Sequence, residues 1–177
     1  MDRKRFLRSL LAAGLGSAAL GPLAACGGPG SAARQEERNF ERLKPLAEWR
    51  EILPRDRYRV LFEEDTERAF SSPLDQEYGE GTYVCAACFL PLFTSETKYD
   101  SGTGWPSFWA PKDESVLGTS RDTKLFIPRT EYHCIRCGGH QGHVFDDGPP
   151  PTGKRYCNNG LALEFIPAGL PLPELRG

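Results

Sequence analysis

Several absences narrow what this sequence can be. It has no basic stripe: 22 Lys and Arg stand against 24 Asp and Glu for a net charge of −2, which argues against a nucleic-acid partner. It has no internal repeat beyond two short cysteine pairs, and no uninterrupted apolar run of the roughly 20 residues that span a bilayer. At 177 residues it hardly has room for two domains with separate cores. Histidine is scarce, with three in the whole chain. Glycine and proline are not, at 19 and 15, and they favour short elements divided by many turns, as in a β-rich domain.

The chain begins with an address. Asp2-Arg3-Lys4-Arg5 and Arg8 lead into an apolar stretch over residues 10–25 that Gly14, Gly16, Gly21 and Pro22 loosen, the layout of a secretory signal. It ends Leu23-Ala24-Ala25-Cys26-Gly27, which resembles a bacterial lipobox. That resemblance implies cleavage before Cys26 and lipidation of it, with several acyl chains anchoring the protein stably. Ordinary cleavage that leaves a free Cys26 stands as the alternative. Residues 1–25 are thus expected to be a lipoprotein signal, 26–39 a flexible linker, and 40–177 the folded domain, with its core at about 58–166. The expected location is extracytoplasmic, on a bacterial membrane touched through the lipid anchor only.

Within the domain, residues 40–53 carry apolar side chains at roughly helical spacing, interrupted by Pro45, and residues 56–62 suit a second short helix with Asp56 as its cap. From Gly79 onward the texture changes to short β-prone runs at 82–84, 124–127 and 161–166. The tail from Pro167 reads as irregular.

Six cysteines carry most of the chemistry. Cys85-Ala86-Ala87-Cys88 and Cys134-Ile135-Arg136-Cys137 are two CxxC hooks, the supply of four thiolates that a tetrahedral Zn²⁺ prefers. Four thiolates leave no open coordination position, so one such zinc per chain would be structural. Two disulfides, or a redox-active CxxC, are the competing reading in an oxidising compartment. With four cysteines on metal and Cys26 lipidated, Cys157 remains, in Arg155-Tyr156-Cys157-Asn158-Asn159. Extended geometry would put Arg155, Cys157 and Asn159 on one face, and a guanidinium beside the sulfur would favour the thiolate. His140 and His143 stand three apart in a glycine-rich stretch and can supply protons near neutrality. His133, beside Cys134, is expected at the surface. Trp105 and Phe108 sit in a glycine-rich turn, Ser101-Gly102-Thr103-Gly104-Trp105-Pro106-Ser107-Phe108, as candidate walls of an apolar pocket.

These stretches, in this order and with both CxxC pairs, closely resemble the peptide-methionine (R)-S-oxide reductase (methionine sulfoxide reductase B) family from about residue 58 to 165. The resemblance implies a mainly β fold of two antiparallel sheets (a β-tent) with short N-terminal helices, a structural zinc away from the active site, and no redox cofactor. It implies Cys157 as nucleophile, Trp105 with Phe108 binding the substrate methyl, and His140, His143, Arg155 and Asn159 completing the pocket. His143 is the first choice of acid, with His140 assisting. Cys157 would become a sulfenic acid. Many members of the family carry a resolving cysteine where this chain has Thr103, so the sulfenic acid would need an external thiol, small or thioredoxin-like. Asp146 and Asn158 occupy positions where more apolar residues are expected. The partners implied are oxidised proteins bearing methionine-R-sulfoxide, and the protein is expected to be a monomer. Two other classes remain: a lipid-anchored zinc module that binds partners without catalysis, and a thiol–disulfide oxidoreductase working through a CxxC.

Overall fold

The computed structural model describes residues 43–124 and 127–177; the signal, Cys26 and the linker lie outside them. Two prolines set the entry. Each stands just ahead of a helix, where a missing N–H removes nothing. Pro45 precedes α1 (Leu46–Ile52), and Pro54 precedes α2 (Arg55–Glu63), with Leu53 held extended before it. Asp56 is therefore not the cap. It lies inside the first turn of α2, where its carboxylate accepts the N–H of Arg57. Trp49 of α1 and Leu61 of α2 are fully buried, and Trp49 stacks on Phe62 with centroids 5.6 Å apart.

The rest is β-structure in two antiparallel sheets. The smaller has β1 (Gly81–Cys85) at its centre, between β2 (Pro91–Thr94) and β9 (Leu163–Pro167). The larger runs in the order β3 (Lys98–Tyr99), β4 (Ser107–Phe108), β8 (Arg155–Asn158), β7 (His140–Phe145), β6 (Arg129–Cys134), β5 (Leu117–Asp122). Of the run expected as a strand at 124–127, Leu125 and Phe126 lie outside the described residues, while Lys124 and Ile127 stand outside β5 and β6 with Ile127 exposed; the strands are the more polar stretches on either side. The tail is irregular beyond β9 but not loose: Arg136 Nη1 donates to the Arg176 carbonyl at 2.5 Å, and the Arg176 N–H to the Cys88 carbonyl at 3.1 Å.

Aromatic side chains fill the space between the sheets. Phe93 stacks on Phe108 at 4.2 Å, and Tyr83 meets the same ring edge-on at 4.9 Å. Tyr132 and Tyr156 extend the cluster, 5.4 Å apart. Such pairs contribute about 0.5–1.5 kcal/mol each beyond the area they bury. Phe108 is thereby corrected: it is fully buried in this core, not on a substrate surface.

The two CxxC hooks close the molecule from both sheets. One is the turn at the end of β1; the other is the hairpin between β6 and β7. Four buried sulfurs meet within 4.8 Å of one another, Cys85 and Cys137 at 3.6 Å, Cys88 and Cys134 at 3.6 Å. Four thiolates each about 2.3 Å from one Zn²⁺ at tetrahedral angles stand about 3.8 Å apart, so the set fits that ion. The electrostatics ask for it as well. Burial above all pushes the Cys85 thiol up, and hydrogen bonding to Cys134 does the same to Cys137, while Cys88 is drawn far down by its neighbours' hydrogen bonds. Four thiolates so close would repel one another, and a cation between them removes that cost. All four are free thiols, which sets aside the reading as two disulfides.

A structural Zn²⁺ contributes about 10–16 kcal/mol of apparent binding free energy, comparable with the whole stability of a domain of about 5–15 kcal/mol. Cys137→Ser should therefore yield a chain without stoichiometric zinc and without a cooperative thermal transition. Elemental analysis with circular dichroism checks it, and a folded metal-free variant would contradict it.

Candidate active site

The site is built on β8, which has β4 on one side and β7 on the other. Cys157 of β8 stands directly opposite Ser107 of β4 and His143 of β7. Directly opposed residues share a face of the sheet with Cβ atoms about 4.5–5.5 Å apart. The register alone thus brings thiol, hydroxyl and imidazole together. Gly142 makes the approach possible: a Cβ there would stand 1.9 Å from the Cys157 carbonyl oxygen.

Above this row lies a pocket of about 160 Å³, lined among others by Cys157, His143, Trp105, Arg155 and Asn159. The structure brings these five together. It leaves out His140, whose ring is buried behind the pocket with its centroid 5.5 Å from that of His143, and Phe108, which belongs to the core. Trp105 is fixed by its indole N–H, which donates to the Glu67 carbonyl at 3.2 Å. Arg155 is clamped by two hydrogen bonds to Asp147, at 2.8 and 2.7 Å, and its guanidinium lies 4.2 Å above the Phe145 ring. Asn159 is held by the backbone: its Oδ1 accepts the Glu67 N–H and its Nδ2 donates to the Gln141 carbonyl. Asp146 is exposed and pairs with Lys154.

The acidity of Cys157 differs from the sequence expectation. Burial pushes the thiol above its ordinary range, outweighing Thr103 and Arg155, which pull it down. Thr103 Oγ1 is 3.9 Å from the sulfur and begins a hydroxyl chain, 2.8 Å to Ser101 and 2.7 Å on to Ser107. Cys157 is thus a thiol at rest, with donors ready for its anion.

His143 carries the complementary arrangement. Burial lowers its pKa against the pull of Asp122, whose Oδ2 is 2.7 Å from Nε2. Asp122 bears a burial penalty, but the Lys124 N–H, His143 and Arg129 hold its carboxyl down to about 2. A neutral ring whose Nε2–H is given to ionised Asp122 has its lone pair on Nδ1, the form that takes a proton and later returns it. Glu131 does the same work one layer deeper. Its oxygens receive His140 at 2.8 Å and His133 at 3.2 Å, and against burial these bonds keep its carboxyl well below the usual carboxylate range. His133 is accordingly buried, not at the surface, because Glu131 gives its ring a partner inside.

Asp122, Arg129 and Glu131 were invisible to motif reading, since they sit on a hairpin whose pairing sets them against His143. The polar alternation of Arg129-Thr130-Glu131-Tyr132-His133 was the available signal. Asn158 is a further surprise. Fully buried, it accepts the Tyr132 hydroxyl at 2.7 Å and donates to Gln141 at 3.5 Å, and Gln141 Nε2 reaches Cys85 Sγ at 3.5 Å. An amide bridge therefore runs from the cysteine cluster to the residue beside Cys157, and it explains why a polar side chain stands at 158.

Comparison with known proteins agrees with this geometry. The family model described as the SelR domain matches residues 53–167. Proteins named peptide methionine sulfoxide reductase MsrB are similar over most of the chain. One from Leptospira interrogans is 48% identical over 72% of this chain and 97% of its own. One from Pseudomonas putida (strain W619) is 51% identical over 70% and 93%. One from the archaeon Methanosarcina barkeri is 49% identical over 69% and 86%. With the two-sheet fold, the four-cysteine centre and a pocketed cysteine opposite a histidine, the chain belongs to the SelR-domain family of MsrB peptide methionine sulfoxide reductases.

Proposed function

We propose that the protein reduces the R epimer of methionine sulfoxide in oxidised proteins through Cys157, outside the cytoplasm. The observation that carries the chemistry is the register pair Cys157–His143, with Asp122 behind the imidazole. A sulfoxide sulfur is a poor electrophile until its oxygen is protonated. The site meets that need by moving one proton. His143 takes the Cys157 proton as substrate enters and delivers it to the sulfoxide oxygen, while the thiolate attacks sulfur. Arg155 and the Thr103 hydroxyl stabilise the anion meanwhile. The attack forms a bond between the Cys157 and substrate sulfurs. The protonated oxygen then passes to the Cys157 sulfur as the substrate S–O bond and that S–S bond break, leaving a sulfenic acid on Cys157 and releasing the thioether as methionine. Two electrons pass from cysteine to substrate, and no water forms at this stage. Selection of one epimer is supported by three unlike walls: Trp105 for the methyl, His143 for the oxygen and Cys157 for the sulfur.

The sulfenic acid then meets an external thiol, forming a mixed disulfide and releasing water. Two features support this. The hydroxyl of Thr103 stands 3.9 Å from the Cys157 sulfur, and the other cysteines among the described residues form the metal cluster. The lipoprotein reading rests on Leu23-Ala24-Ala25-Cys26 alone, and mass spectrometry of the mature amino terminus tests it.

Separate R and S epimers, offered to the purified domain with dithiothreitol, should be reduced unequally in favour of R. Cys157→Ser should lose at least about a thousandfold in turnover while keeping its zinc and its melting curve. Equal rates on both epimers, or an active serine variant, would refute the assignment.

The raised pKa of Cys157 has its own signature. Alkylation by iodoacetamide without substrate should be slow near pH 7 and climb toward alkaline pH, because only the thiolate reacts. Arg155→Met should move that climb to higher pH. A rate already at its plateau at about pH 7 would show a thiolate at rest instead.

One turnover without reductant should leave Cys157 as a sulfenic acid that a selective probe labels, with zinc retained. Thr103→Cys should convert that product into an internal disulfide by loss of water, seen as an intact mass two hydrogens below that of the fully reduced variant. An internal disulfide in the natural sequence would overturn the external-thiol step.

A further inference from the structure

Phe70 has no place in the chemistry above, and its setting is unusual. It is the most exposed aromatic side chain among the large hydrophobics of the described residues, at 72%, and its φ is +63°, a left-handed conformation that bulky residues rarely adopt. Neither the strain nor the exposure is offset by burial. Strained positions of this kind persist when the surroundings impose them, and they cluster at functional sites.

The surroundings impose this one from the active site. The Phe70 N–H donates to the Gly104 carbonyl at 2.7 Å. Its ring lies flat on Gly104, where any Cβ would stand 2.7–2.8 Å from three ring carbons, and Gly104 itself has φ +85°. Thr103 and Trp105, on either side of Gly104, both line the pocket. Three residues back, the Glu67 carbonyl takes the Trp105 indole proton, its N–H reaches Asn159, and its carboxylate takes the N–H groups of Gly160 and Leu161. Thr66 is itself on the pocket wall. Residues 66–70 are thus fastened to the turn that carries Thr103 and Trp105, and the fastening leaves a large apolar ring exposed on Gly104, between two residues that line the pocket.

We infer that Phe70 is a substrate-specificity residue, binding an apolar side chain next to the methionine sulfoxide of a polypeptide. This rests on the reductase reading and adds the class of sequence it prefers. The pocket holds one side chain, so a polypeptide entering it must lay its neighbouring residues across the rim. The ring there offers apolar area and a π-face but no hydrogen bond or charge, so it discriminates apolar neighbours from polar ones. A free amino acid, with nothing to lay on the rim, gains nothing from it.

The test uses Phe70→Asn, since asparagine tolerates the left-handed backbone and removes only the ring, with Phe70→Tyr as the conservative variant. Three substrates are compared as R epimers: free methionine sulfoxide, a hexapeptide with leucine on each side of it, and the same peptide with serine. Phe70→Asn should lose about five- to tenfold in kcat/KM on the leucine peptide, mainly through KM, and less than about twofold on the other two. Phe70→Tyr should restore the difference. An equal loss on all three substrates would make Phe70 merely structural, and an unchanged leucine peptide would remove its role altogether. Failure of the reductase reading looks different, as no turnover of any substrate by the natural sequence. Calorimetric binding of the leucine peptide, weakened or unweakened in Phe70→Asn, still decides the rim in that case.

Discussion

The meeting of four cysteine sulfurs is the constraint on which the rest of this structure depends. β1 and the β6–β7 hairpin belong to different sheets, and the cluster is where their ends are joined. The smaller sheet has three strands, the longest of five residues, too little to stand alone. Fixing one end of β7 at Cys137 also fixes the stretch that carries Gln141 and His143. The chemistry of Cys157 is therefore held in place from a site that takes no part in it.

A second principle organises the interior behind the pocket. A half-buried and a buried carboxylate there are each held ionised by their partners, Asp122 by His143 and Arg129, Glu131 by His133, His140 and Ser120. All three histidines of the chain are engaged in this way. An imidazole so held cannot rotate freely, and its tautomer is chosen by the carboxylate it faces. The arrangement converts a flexible proton carrier into a directed one.

Much of the site was legible because motif residues fall on adjacent strands. Cys157, His143, Trp105 and the four CxxC cysteines could be named from spacing and family resemblance, and the structure gathers them as such. What could not be read were the roles set by register. His140 and His143 look equivalent in sequence, yet only one reaches the pocket, and Phe108 resembles Trp105 in its motif while its strand turns it into the core. His133 shows no partner in the sequence, and Glu131, two residues away on the same strand, supplies one inside the fold. The sulfur's acidity was misjudged for a related reason. A charged neighbour shows in the sequence, whereas the depth at which the thiol lies is a property of the fold.

That depth has a consequence for endurance. The peroxides that turn methionine into its sulfoxide attack cysteine as well, and they attack the anion far faster than the thiol. A repair enzyme whose nucleophile stood ionised in the open would be consumed by the oxidant that makes its substrate. Burial holds the Cys157 pKa above its ordinary range and so favours the thiol over the anion near neutral pH. A thiol is the slower target of a peroxide, so the sulfur at rest is the less easily spent.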